Sequence, residues 1–360
     1  MEEVFRVAPA AKAGRVAVSV VAPCYNEASG LAALHQRVGA ACRSAAGDAY
    51  EIILVDDGSR DGTWAEILRL AEADSHLIGV HLARNHGHQL AVTAGLSLGR
   101  GERVLVIDAD LQDPPELLEA MMRKMDEGAD VVYGRRRTRQ SESWFKRASA
   151  AAFYRLLRRI TDIEIPLDTG DFRLMSRRVV DALQGMPERH RFIRGMVSWV
   201  GFTQVPLDYD RAERHSGTTK YPLAKMIRFA LDAITSFSIA PLRLASHIGL
   251  VTAGLALVFL AYSLARWLGG YVVTGWTSLI ATVLLLGSIQ LFVLGIIGEY
   301  LGRLLIESKR RPLFLIDAIA TQRSRLAVPV HFADLPRSEQ RAVWSDLIEP
   351  ALAGAAVKRR

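Results

Sequence analysis

Hydrophobic positions follow two regimes along the chain. Up to about residue 135 they form short runs of strand length, at Val16–Ala22, Glu51–Val55, Leu77–Leu82, Arg103–Ile107 and Asp130–Tyr133. Helical spacing near 30–44, 62–73, 88–98 and 115–127 fills the intervals. That alternation predicts an α/β domain with a Rossmann-like, mostly parallel sheet and helices on both faces. Past residue 243 the pattern changes. Residues 244–265 contain no Lys, Arg, Asp or Glu, and neither do 267–298. About 20 apolar residues cross a bilayer core, so two transmembrane helices are predicted, roughly 244–266 and 278–300, with a loop around Gly269–Trp276. Buried core helices are the alternative, but soluble helices this long carry charge on one face.

Charge orients the hairpin. Its outer flanks hold Lys225, Arg228, Arg243, Arg303, Lys309, Arg310 and Arg311, and the connecting loop only Arg266. The positive-inside rule then puts the N-terminal domain and both termini in the cytoplasm, with Trp267, Tyr271 and Trp276 at the outer interface. Four regions follow: a domain over 1–221, a juxtamembrane stretch over 222–243 read as interfacial, the hairpin over 244–302, and a cytoplasmic tail over 303–360. The start Met-Glu-Glu lacks the basic and apolar segments of a cleaved signal peptide. Half of the 360 residues are hydrophobic and the net charge is +7, which excludes disorder as the main state. Two cysteines, Cys24 and Cys42, exclude a disulfide framework and a Cys-based zinc site.

In such sheets ligands bind beyond the carboxyl ends of the strands. Those ends read Pro23-Cys24-Tyr25-Asn26-Glu27, Asp56-Asp57-Gly58-Ser59 and Asp108-Ala109-Asp110-Leu111-Gln112-Asp113, and then basic Gly134-Arg135-Arg136-Arg137. Carboxylates gathered on one edge repel one another unless a cation sits among them. Oxygen ligands at alternate positions suit Mg2+ or Mn2+, which would bridge the phosphates of a nucleotide. No G-x-G-x-x-G follows the first strand and no P-loop occurs, against dehydrogenases and P-loop enzymes.

These residues carry a resemblance. P-C-Y-N-E, V-D-D-G-S, R-N-H-G-H-Q, D-A-D-L-Q-D-P-P-E, G-D-F-R-L-M-S-R, R-A-E-R-H-S-G-T-T-K-Y and a hairpin ending G-E-Y-L-G-R, together spanning about 16–312, resemble the family 2 glycosyltransferases of GT-A fold. More narrowly, the chain looks like the polyprenyl-phosphate glycosyltransferases. The resemblance implies a metal-dependent, inverting transferase moving one sugar from a nucleotide-diphosphate sugar, UDP before GDP, to a polyprenyl phosphate. It implies that Pro23, Tyr25, Glu27 and Asp57 hold base and ribose, and that Asp108, Asp110 and Gln112 form the metal and diphosphate site. Asp171 would be the catalytic carboxylate, Arg211 and Lys220 diphosphate contacts, and Arg136 and Arg147 contacts to the acceptor phosphate. Asp168 lies three residues away, but only Asp171 fits G-D-F. A homo-oligomer, tetramer or dimer, and a place in the bacterial inner membrane are also implied.

Plainer roles compete at several positions. Asn26 and Glu27 could cap a helix near Ala28, and Asp56, Asp57 and Ser59 could form an Asx turn. Pro114-Pro115 and Glu116 read as a helix start. His86 and His88 flank Gly87 on a short loop without further ligands, which favours a backbone hydrogen-bonding pair over a metal site. The stretch 135–159 holds nine basic residues and only Glu142 as an acid. Beside a bilayer this suits anionic lipid; nucleic-acid binding is not expected, since no recognition module accompanies the charge. The rivals are a processive polysaccharide synthase, which would need the Q-x-x-R-W that is missing here, and a non-catalytic membrane anchor.

Overall fold

A computed structural model describes residues 16–136, 169–210, 240–269, 275–322 and 324–327. Four strands make the parallel centre: β1 (Val18–Cys24), β2 (Tyr50–Asp56), β3 (Leu77–Leu82) and β4 (Arg103–Val106), in the order β3-β2-β1-β4. Their near-continuous apolar runs are those of strands covered on both faces. Helices α1 (Leu31–Ala46), α2 (Thr63–Ala73) and α4 (Leu118–Asp126) bury Leu34, Ile67 and Met121 against one face. Helices α3 (His88–Leu98), α5 (Arg177–Gly185) and α6 (Ile193–Trp199) bury Val92, Val180 and Met196 against the other. A Cβ at Gly95 would lie 2.3 Å from Val21 Cγ1, so glycine is what lets α3 lie this close to β1.

The structure corrects the sequence reading at two places in the sheet. The stretch 130–133 was expected to continue the alternating series, but β5 (Val131–Arg136) does not neighbour β4. Between them lies β6 (Thr169–Ser176), antiparallel to both, and β7 (Gln204–Tyr209) forms the edge beyond β5. Buried charges hide β6 from pattern reading, because Phe172 and Leu174 alternate with Asp171 and Arg173. Its register pairs Arg173 with Val106, which brings Asp171 beside the residues that follow β4.

The second correction concerns the tail. Residues 313–321 return to the domain instead of trailing from it. Strand β8 (Ile316–Thr321) pairs antiparallel with β3, and β9 (Ser324–Ala327) pairs with β8, closing a nine-stranded sheet. Phe314, Ile316 and Ile319 are buried with Val80 and Leu82.

Helices α7 (Ala240–Leu268) and α8 (Trp276–Ser308) pack on each other and extend beyond the predicted spans. Their apolar windows, Pro241–Ser263 and Leu285–Ser308, have mean hydropathies of 2.0 and 1.7 and are only 6% and 0% buried. Core helices would be covered, whereas here Leu250, Leu255 and Leu291 face outward. By length and composition both helices can cross a membrane. The end of α8 meets the domain where the Arg189 N–H donates to Glu307 Oε1 at 2.8 Å. The interfacial stretch 222–239 and the basic run beyond Arg136 lie outside the described residues.

Candidate active site

Two strand ends interlock to form one wall of a cleft. Asn26 takes a left-handed conformation (φ 56°) that turns the chain after β1. Its N–H donates to Ser59 Oγ at 2.9 Å, and its Oδ1 accepts the Arg60 N–H at 3.0 Å. The Glu27 N–H donates to Thr63 Oγ1. The competing capping role does not arise, since α1 starts later, at Leu31 behind Gly30. The neighbouring acids divide the work. Asp56 is fully buried, accepting the Ser59 N–H at 3.1 Å and binding His81 Nδ1 at 2.8 Å, so it shapes the turn. Asp57 accepts the N–H groups of His86 (2.7 Å) and Gly87 (2.9 Å). Burial outweighs those two bonds and leaves its carboxyl above the usual range.

The opposite wall gathers opposed charges. Asp171 is buried on β6. His88 Nε2 lies 2.9 Å from its Oδ2, Gln89 Nε2 donates to Oδ2 at 3.3 Å, and Arg194 Nε donates to Oδ1 at 2.7 Å. Burial alone would raise this carboxyl, but the His88 hydrogen bond and the Arg194 and Arg173 charges hold it well below the usual carboxylate range. Asp108 behaves in the opposite way. Burial, joined by the negative charges of Asp171, Asp113 and Asp110 and opposed by His88, pushes it up to about 6. His88 lies 3.7 Å from Asp108 Oδ1 and is raised: burial opposes its charge, and the two aspartates more than compensate.

These walls enclose an open cleft of about 530 Å³ lined by Pro23, Tyr25, Glu27, Asp57, Asp108, Asp110 and Asp171, together with His88 and Arg194. Gln112 is not on its surface and contributes a backbone N–H to Asp110 Oδ1 at 3.1 Å. Arg136 ends β5 outside the cleft lining, beside Gly170 and 3.5 Å from the Tyr209 hydroxyl. Arg147, Arg211 and Lys220 lie outside the described residues. Sequence reasoning missed His88, Gln89 and Arg194. His86 does make the expected backbone contacts, but the His88 ring turns into the cleft. No spacing points to Arg194; the fold brings α6 to Asp171.

The donor set suits a hard cation. One ligand atom from each of His88, Asp108 and Asp171 falls within 4.8 Å of the others. Burial first, and then the negative charges of Asp171, Asp113 and Asp110, raise the Asp108 carboxyl, so a bound cation would favour its ionised form.

Comparison with known proteins adds family relationships. The description "Glycosyl transferase family 2" matches residues 19–184, and "GtrB C-terminal hairpin" matches 240–304. A Bacillus subtilis protein named uncharacterized glycosyltransferase YkcC is 45% identical over 301 residues, 83% of this chain and 93% of its own. The bactoprenol glucosyl transferase of Shigella phage SfV is 38% identical over 83% of this chain and 97% of its own. A solved glucosyl-3-phosphoglycerate synthase from Mycobacterium tuberculosis, in complex with Mn2+, UDP and phosphoglyceric acid, is 20% identical. It covers 62% of this chain and 77% of its own, with a TM-score of 0.41.

Proposed function

We propose a reaction from one premise: the chain belongs to glycosyl transferase family 2. It moves one sugar from a nucleotide-diphosphate sugar, a UDP-sugar, to a polyprenyl phosphate, with inversion at the anomeric carbon. The observation that carries this reading is an acid-lined cleft on the same chain as two apolar helices that its domain leaves uncovered. The matched hairpin and the bactoprenol glucosyl transferase relative support a bilayer-resident acceptor. Such a lipid leaves the membrane at a cost of about 0.8 kcal/mol per buried CH2, so the enzyme must come to it.

Pro23, Tyr25, Glu27 and Asp57 hold the nucleoside, on the wall formed by β1 and β2. Asp108 and Asp110, with His88 and Asp171 in reach, would hold Mg2+ or Mn2+, which when bound would supply positive charge opposite the diphosphate. Arg194, fixed by Asp171, adds a permanent cation on the same side. A phosphate monoester has a second pKa near 6, so the acceptor arrives already ionised and needs placing more than it needs a base. Asp171, engaged by His88, Gln89 and Arg194, orients those groups and takes no proton. Arg136, Arg147 and the basic residues that follow Arg136 in sequence would serve the lipid phosphate, and Arg211 and Lys220 the donor diphosphate. By the positive-inside rule, the basic flanks of the hairpin support a cytoplasmic cleft.

Purified protein incubated with Mn2+, undecaprenyl phosphate and a panel of UDP- and GDP-sugars should yield one lipid-linked sugar by mass spectrometry. Intact lipid with every donor, in protein that remains folded, would sink the reading.

A further inference from the structure

Loop 83–87, between β3 and α3, touches both the cleft and the strand that follows the second apolar helix. On the cleft side its His86 and Gly87 amides hold the Asp57 carboxylate. Gly58 (φ +65°) lies against its middle, and a Cβ there would sit 2.5 Å from the Arg84 carbonyl carbon. On the other side Leu315 uses both of its backbone groups on the loop. Its carbonyl accepts the Ala83 N–H at 2.9 Å, and its N–H donates to His86 Nε2 at 3.3 Å.

The contact is anchored at both ends. Phe314 and Ile316 are buried on either side of Leu315. Helix α8 ends at Ser308, and Arg310 turns the chain with φ 45°. Six residues then separate Ser308 from Leu315, seven steps along the chain with a reach of at most about 25 Å.

We propose that residues 313–321 complete the donor side of the active site, with His86 as the positioning residue that transmits their placement to Asp57. The membrane hairpin is then a structural member of the nucleotide site as well as a tether. This rests on the donor-site reading of Asp57, but the loop itself can be read without any donor.

Hydrogen exchange of the full-length protein in lipid nanodiscs is the test. His86→Phe keeps a ring and removes the acceptor. It should speed exchange at the His86 and Gly87 amides about fivefold. His86→Gln keeps an acceptor and should restore protection, and Phe314→Ala, which unseats the strand, should reproduce the acceleration. Exchange in α4 should stay unchanged in all three. Calorimetry with UDP and Mn2+ should show weaker binding in His86→Phe and recovery in His86→Gln. Unaltered loop exchange in His86→Phe overturns the proposal. Equal acceleration in Phe and Gln variants, or acceleration that spreads to α4, overturns it too, since either outcome marks general loosening. Wild-type protein that binds no UDP removes the donor reading of Asp57, while the exchange data still decide whether the strand controls the loop.

Discussion

At the amino ends of β1 and β2, Glu51 is buried among groups that answer it on every side. Ser19 Oγ and the Arg100 N–H donate to its Oε1, each at 2.6 Å, and Arg100 Nε donates to its Oε2 at 2.8 Å. The Gly101 N–H closes onto Ser19 Oγ, and Arg177 caps the carbonyls of Gly99 and Gly101. At the carboxyl ends of the same strands, Asp108, His88, Asp171 and Arg194 are as close together, but they line an open cleft and one carboxyl is pushed up to about 6. Both regions bury charge. The first is saturated and holds a loop to the sheet, whereas the second keeps a buried carboxyl, raised by desolvation and by its acidic neighbours, that a cation could hold ionised. Burial alone therefore does not mark function; a buried cluster with an unmet electrostatic need does.

Substitution at each end should separate the two. Asp108→Asn is expected to lower turnover about 1,000-fold, the scale for losing a major stabiliser of departing charge. Its thermal midpoint should not fall, because the change removes a repelled carboxylate. Glu51→Ala should do the reverse. It strands Arg100, Ser19 and a backbone N–H, at a cost of about 3 kcal/mol in unfolding free energy, while activity per folded molecule stays within about twofold, since nothing in the cleft touches Glu51. If Asp108→Asn unfolds the protein, or Glu51→Ala abolishes turnover in folded protein, the division between the ends fails.

The same contrast explains what could be read from the chain. The parallel centre was legible because β1, β2, β3 and β4 are apolar runs, and the topology rule for such sheets points at the residues after them. Asp57, Asp108 and Asp110 were found that way. Strand β6 was not, because Asp171 and Arg173 occupy positions where a pattern reader expects apolar residues. Strand β8 was missed because a six-residue run broken by Asp317 beyond a membrane helix has no local partner to reveal it. Arg194 and His88 acquire their meaning only when α6 and α3 meet Asp171 in three dimensions.

Proton competition sharpens the comparison further. In the metal-free protein Asp108 takes up a proton as the pH falls through about 6, and His88, raised above its ordinary value, is cationic over the same range. Both changes oppose a divalent cation. Mn2+ affinity should therefore fall at least about tenfold per pH unit below pH 6, up to about 100-fold where both protons must leave, and level off well above it. Titration by electron paramagnetic resonance between pH 5 and 8 reads this directly, and a flat profile would remove Asp108 from the ligand set. The Glu51 end should add nothing to the profile, so Ser19→Ala protein should give the same curve.

The smallest effect is expected at Asp171, and it decides what that residue does. A general base must offer a lone pair to the proton it removes and have a pKa near working pH. Asp171 suits that task poorly, because three donors crowd its oxygens and its carboxyl is held well below the usual range. Its work is to aim Arg194 and His88, and an amide can still accept from one of them. Asp171→Asn should thus cost about tenfold in turnover at pH 8, where the lipid phosphate is already a dianion, with donor binding nearly intact. Asp110→Ala, which removes a carboxylate from the cation site, should cost about 100-fold. Arg194→Ala should resemble Asp171→Asn, and the double variant should lose little more than either alone, because the two act as one unit. Additive losses in the double variant would mean that Asp171 has a separate task. A dead Asp171→Asn enzyme that still binds donor would make that task proton abstraction, and the carboxyl end of the sheet would then hold an acid–base centre as well as a cation site.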